Sequence, residues 1–278
     1  MLRLLNIEFY KLRYSKSTKI LTLIYFIIPL FIALIASIDF DFIGINIRLA
    51  DQGIFNFPFI WHFNTFLISL LKIFLAIVIV SMMSNEYSNR TLKQNLIDGM
   101  SKKEFILSKF YTVLAFSAAS TVFVFLLSLI LGLSFSDYTE FSIIFSELEF
   151  LLAYFIKLVG FFSFCMFLGI LVKRSAFALG FLFVWWIIEK IVYLVVRFKI
   201  THTESGTDSV MQFFPLEATY NLIKQPVTRL NFIQSAANQL QTDISTDYAV
   251  HWYSVLIVLV WTTIFVWGSY ALLKKRDL

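Results

Sequence analysis

Four ionisable residues, Lys72, Lys157, Glu189 and Lys190, each stand about half way along an otherwise apolar run. A charge at the centre of a membrane helix costs about 2.5–3.5 kcal/mol or more, so such residues mark either a polar pathway or a buried pair. Counted from the ends of their runs, Lys72, Lys157 and Glu189 fall at similar depth. One reading makes this charge cluster part of a translocation route. The other, which is preferred, pairs Glu189 with Lys157 or Lys72 to lock a helix bundle and lets Lys190 snorkel outward.

Other chemistry has no residues to carry it. The sequence has no G-x-x-x-x-G-K-[ST] to cradle nucleotide phosphates, no H-E-x-x-H and no recognisable Ser-His-Asp or Cys-His set. His62, His202 and His251 are scattered, and Cys165 is the sole cysteine, so neither a metal site nor a disulfide framework is expected. The chain is therefore not expected to be an enzyme or to bind a cofactor. Its net charge of +5 comes from Lys and Arg clustered beside the apolar runs, which suits lipid headgroups and not nucleic acid. The sequon Asn89-Arg90-Thr91 is assigned no role.

The stretch from Ser81 to Lys109 is the long charged segment flanked by apolar runs on both sides. Within it, Glu86 to Ile97 reads as one short amphipathic helix, with Leu92, Leu96 and Ile97 as a narrow apolar stripe. Gly99 should stop that helix in the left-handed conformation, and Ser101 with Glu104 reads as a capping box opening the next. Leu92 and Leu96 would be knobs for a partner, with Arg90, Lys93 and Lys102 as a polar rim.

A Glu at the end of a span, a Thr-Leu pair, a Gly turn, Ser-Lys and a final Lys form a pattern similar to that of ABC-2-type export permeases. The residues that carry it are Glu86, Thr91, Leu92, Gly99, Ser101, Lys102 and Lys109. Where many members have Gly before the Thr, this chain has Arg90; where many have Pro before the Ser, it has Met100. The resemblance implies a membrane subunit of an ATP-binding-cassette exporter in the bacterial cytoplasmic (inner) membrane. Two permease copies, as a homodimer or with a related permease, would line the pathway. Two separate ATPase subunits, holding the ATP and Mg, would dock on Glu86 to Glu104 and rotate it as they close. The resemblance also implies an external gate at Phe213, Phe214 and Pro215, where the family's last outer loop dips back into the membrane. Read without it, that stretch is a solvated loop with two short helices, Pro215 to Ile223 and Thr228 to Leu240.

These residues need a helical scaffold. With 59% hydrophobic and 15% charged residues, the chain is a membrane protein, and a spanning helix needs about 20 apolar residues. The fold class is all-α, a single transmembrane permease domain over residues 1–278. Residues 1–19 read as an amphipathic helix in the headgroup region. Six spans follow at about 20–38, with Pro29 as a kink, then 59–84, 110–133, 148–172, 176–196 and 252–273. Trp61 and His62 are expected at the outer interface, and Ala115, Ala118, Ala119 and Ser120 as a face for close helix approach. Residues 85–104 form the coupling segment and 197–250 the long outer loop or gate. Of 23 Lys and Arg, 15 fall in the N-terminal segment, the central segment, the 173–174 turn and the tail, so both termini are expected in the cytoplasm.

Two other classes compete with the permease reading. A secondary transporter using Lys72, Lys157 and Glu189 as ion sites should show two related halves, and none is visible. A membrane assembly or immunity factor without transport is the other alternative.

Overall fold

The computed structural model describes residues 2–38, 40–42, 45–47, 53–138, 140–229, 233 and 247–276. It is almost entirely helical: α1 (Leu2–Tyr14), α2 (Lys16–Ser37), α3 (Phe59–Leu70), α4 (Lys72–Ser88), α5 (Thr91–Ile97), α6 (Lys102–Phe135), α7 (Phe141–Ile144), α8 (Glu149–Val172), α9 (Ser175–Val196), α10 (Glu204–Met211), α11 (Pro215–Asn221) and α12 (Trp252–Lys274). A two-stranded antiparallel hairpin, β1 (Phe40–Phe42) with β2 (Ile45–Ile47), follows α2. Five helices are long and apolar enough to cross a membrane, and the bent pair α3–α4 makes a sixth if it counts as one span.

The bundle is built around α8. Of its membrane-length window 78% is buried, against 17–39% for the other long helices. It packs against α12, α4, α6, α3 and α9. Apolar burial gives little drive between helices in lipid, so close packing and interhelical hydrogen bonds must hold them. Gly160 lets α12 approach, since a Cβ there would lie 2.6 Å from Val258 Cγ1, and Gly169 admits α4, with Met83 Cβ at 2.7 Å. Tyr25 and Tyr154 hydroxyls meet at 2.6 Å between α2 and α8, and Asn64 Nδ2 donates to Ser128 Oγ at 2.9 Å between α3 and α6.

Several expectations change. The expected span 59–84 is two helices, bent by 46° at Leu71. Ser69 Oγ donates back to the Phe66 carbonyl at 2.7 Å, and the Leu71 and Phe74 amides reach only three residues back, so the regular ladder is lost there. The third long helix begins at its capped end, Lys102, so the span expected at 110–133 is the later part of a longer helix. Trp61 and His62 are fully buried, Trp61 donating to the Ile144 carbonyl at 2.8 Å, so both rings pack within the bundle. Of the expected small-residue face, Ala118 and Ala119 are exposed while Ser120 is buried.

The segment after α9 is more ordered than a plain loop. The helix continues through a wider turn to Thr201, and α11 packs against α8, α9 and α12 with Glu217, Ala218 and Thr219 buried. The helix read over Pro215 to Ile223 corresponds to α11. The one read over Thr228 to Leu240 lies mostly outside the described residues.

Candidate functional site

At the end of the bundle that carries α1, α5 and the C-terminal end of α12, four charges converge in the interior. Spacing of three residues puts Glu8 and Lys11 on one side of α1. Glu86 comes from the last turn of α4, and Lys109 lies two turns beyond the cap of α6. Lys109 Nζ donates to Glu8 Oε2 and to Glu86 Oε1, each at 2.5 Å. Lys11 Nζ donates to Glu86 Oε1 at 2.8 Å. Lys109 is 0% exposed, Glu8 2% and Glu86 3%. Two amines face two carboxylates, so the cluster is neutral, and each member offsets the desolvation of the others.

Residues at the start of α5 grip this cluster. Thr91 Oγ1 donates to Glu86 Oε2 at 2.6 Å, and Asn95 Nδ2 reaches the same oxygen at 3.4 Å. The expected single helix from Glu86 to Ile97 is interrupted. The helix α4 ends at Ser88, Arg90 takes the left-handed conformation with φ 56°, and α5 starts at Thr91. Arg90 occupies the position where the resembled family often has Gly, the residue that adopts this φ freely. Gly99 is left-handed at φ 95°, and the Ser101–Glu104 capping box is complete.

This geometry changes which residues a partner could touch. Leu92 is only 2% exposed, packed against the chain's own core, and Leu96 is half-buried beside it. Leu92 is therefore a structural anchor and not an outward knob, because Thr91 hydrogen-bonds Glu86 and sets the rotation of α5. Glu86 and Thr91 likewise face inward. The exposed surface of the segment includes Arg90, Lys93, Gln94, Ile97, Asp98, Gly99 and Ser101, with Ile97 70% exposed. Lys102 leans the other way, donating to the Lys274 and Arg276 carbonyls at 3.3 and 2.9 Å, which tethers the end of α12.

Within the bundle, the expected pairing of Glu189 with Lys157 or Lys72 does not form. Glu189 accepts the Leu216 and Glu217 amides at 3.2 and 2.9 Å and Trp185 Nε1 at 2.7 Å. It caps α11, whose first amides have no intrahelical acceptor. Lys190 does not snorkel away but pairs with Glu217. Lys157, 1% exposed, donates to the Tyr220 carbonyl at 3.3 Å, and Lys72 lies 4.4 Å from the Phe161 ring.

Phe213 is exposed, and its carbonyl accepts from Trp261 Nε1, near the middle of α12, at 2.9 Å. Phe214 precedes α11 and Pro215 is its buried first residue. Sequence reasoning missed the neighbouring latch. Arg229 makes two hydrogen bonds to Glu147, at 3.1 and 3.0 Å, while His62 Nε2 sits 2.8 Å from the Lys224 carbonyl and so donates. That leaves His62 Nδ1 to accept from Arg229 Nη1 at 3.1 Å. It also missed Glu8 and Lys11, although Glu8 is the sole acidic residue among the first 19 and therefore stands out. Among the described residues no three His, Cys, Asp or Glu side chains converge on one point.

The chain belongs to the ABC-2 transporter family: a family model described as ABC-2 family transporter protein matches residues 4–189, about two-thirds of its length. The matched stretch holds all four charged members of the buried cluster. No curated protein matches the chain.

Proposed function

We propose that this member of the ABC-2 transporter family is the pathway-forming subunit of an exporter, working as a dimer with two separate ATPases that hold ATP and Mg. With α3–α4 counted as one of six spans, both termini, α1 and α5 share one face, which in this reading is the cytoplasmic side of a bacterial inner membrane. The bias of Lys and Arg toward that end supports this orientation. The amphipathic α1 then lies at the headgroup level, with Tyr10 and Tyr14 exposed there.

The observation that carries the coupling role is the Glu86–Lys109 cluster. It joins α1, α4 and α6 directly and α5 through Thr91, so a push on α5 is shared by two spans. The docking face is Lys93, Gln94, Ile97 and Asp98, with Arg90, Ser101 and Lys102 at its border. ATPase closure displaces this face and alternates access to the pathway. At the outer end, α11 with Phe213, Phe214 and Pro215 serves as the gate. Its packing against three spans supports a segment that dips back into the bilayer.

Two measurements test this reading. In a Cys165→Ala background, Lys93→Cys should be labelled in intact cells only by membrane-permeant reagent, and Ser209→Cys also by impermeant reagent. Ile97→Asp should abolish co-purification of an ATPase subunit from native membranes. Impermeant labelling of both cysteines, or an ATPase retained by Ile97→Asp, would remove the proposal's basis.

A further inference from the structure

A cavity of about 660 Å³ opens between α4, α8, α9 and α11, within the size range of small-molecule sites. Its polar lining includes Lys72, Lys157, Lys190 and Glu217. The last two neutralise one another. Among the described residues, neither Lys72 nor Lys157 pairs with a carboxylate. Lys157 has one backbone carbonyl at 3.3 Å and otherwise the faces of Phe66 and Tyr220, at 6.0 and 5.6 Å. Lys72 has the Phe161 ring at 4.4 Å.

Lys109 presents the contrast. That amine, as buried as Lys157, is met by two carboxylates. An ammonium taken from water needs such compensation, and ring faces with a single long hydrogen bond supply only part of it. Two amines therefore share one cavity whose counter-charge no described residue provides. The remaining walls are mostly apolar, among them Ile77 and Leu182, with Ser69, Thr219 and Tyr220 as the other polar side chains. Phe183 and Trp186, 60% and 47% exposed on the outer side of α9, border the mouth, so the cavity opens toward the bilayer.

We propose that this cavity binds an anionic amphiphile, its carboxylate or phosphate head between Lys72 and Lys157 and its chain running past Leu182 to Trp186. A cation would meet two like charges there, and a neutral chain would leave both amines uncompensated. The site goes beyond the transport reading and stands without it. A free single-chain anion and an anionic bilayer lipid share this chemistry.

The test uses the full chain in nanodiscs of neutral phosphatidylcholine, with Trp186 as reporter, isolated by subtracting the Trp186→Phe signal. The probes are dibrominated stearate, the dibrominated alcohol of the same chain, and phosphatidylglycerol with brominated chains. Stearate or phosphatidylglycerol should quench Trp186 at concentrations at least about tenfold below the alcohol, a difference of about 1.4 kcal/mol or more. Stearate alone acting identifies a free amphiphile, and phosphatidylglycerol acting identifies a bilayer lipid. Lys72→Met and Lys157→Met should each erase about tenfold of the anion preference while leaving the alcohol unchanged. Ile77→Phe, which keeps both amines and narrows the apolar limb, should weaken every probe that binds. Equal quenching by anion and alcohol, no quenching by any probe, or an anion preference kept by both Met variants overturns the proposal, as does an Ile77→Phe variant that binds normally.

Discussion

Lys109 Nζ and Glu86 Oε1 meet at 2.5 Å, one from the start of α6 and the other from the end of α4, with neither side chain reaching solvent. The contact spans the Arg90 turn and α5, so the two long helices cannot move apart at this end without exposing an unpaired charge to the interior. A salt bridge so placed fixes geometry more than it adds stability, because desolvation offsets much of the attraction.

Removing the amine should therefore be severe. Lys109→Met leaves Glu8 and Glu86 buried side by side with only Lys11 between them and water, and should cost about 3–5 kcal/mol. Adding Glu86→Gln should recover part of that loss. Thermal unfolding of the purified protein in detergent measures both. A loss below about 1 kcal/mol for the single change would mean that Lys109 does not hold the two carboxylates together.

Leu92 and Ile97, on the same seven-residue helix, should separate fold from docking. Leu92→Ala removes a side chain packed in the core and should destabilise by about 2–5 kcal/mol. Ile97→Ala, on the exposed face, should stay within about 0.5 kcal/mol of the parent. Unfolding midpoints decide this, and the reverse order would mean that α5 is rotated to bury Ile97 and expose Leu92.

Arg90 carries a conformational cost that glycine would not. Its left-handed backbone is unfavourable by about 1–2 kcal/mol for a residue with a Cβ. Arg90→Gly should keep or raise the unfolding midpoint, while the β-branched Arg90→Val should lower it. A lower midpoint for the glycine variant would show that the Arg90 side chain contributes more than its backbone costs.

Glu189 acts as a helix cap. Glu189→Gln presents an amide group to the first amides of α11 and should loosen that helix, at a cost of about 0.5–2 kcal/mol. Limited proteolysis between 197 and 250 should become faster. Lys157→Met or Lys72→Met should not restore resistance, since neither lysine is its partner. Rescue by either lysine change would re-establish an ion pair that the hydrogen bonds to Leu216 and Glu217 argue against.

These residues also show what a sequence discloses. The long apolar runs, the Gly99 stop and the Ser101–Glu104 cap depend on local chemistry and are legible in the amino acids alone. The inward turn of Leu92 is not, because a seven-residue helix with three apolar points does not say which of them meets the core; Glu86, five residues before Thr91, decides it. The role of Glu189 is hidden for a related reason. Depth along a span suggests a lysine partner, whereas the partners are backbone amides 27 and 28 residues later, which every sequence contains. The bend at Leu71 is hard to foresee because its cause is a serine hydroxyl and not a proline or glycine.

The uninterrupted course of α6 has a mechanical consequence. Its 34 residues, at about 1.5 Å each, make a rod of about 50 Å, roughly 20 Å longer than the hydrocarbon layer it crosses. The bent α3–α4 pair can flex at Leu71, but α6 has no joint. Pivoted near its foot, such a rod moves its far end by about 0.9 Å for every degree of tilt. Its foot is clasped through Lys109, and its head is bound near Asn56 and Phe57 through Ser136 and Asp137. A tilt of a few degrees imposed on Lys109 thus becomes a displacement of several ångströms at the opposite membrane face, delivered in the time a rigid body takes to turn.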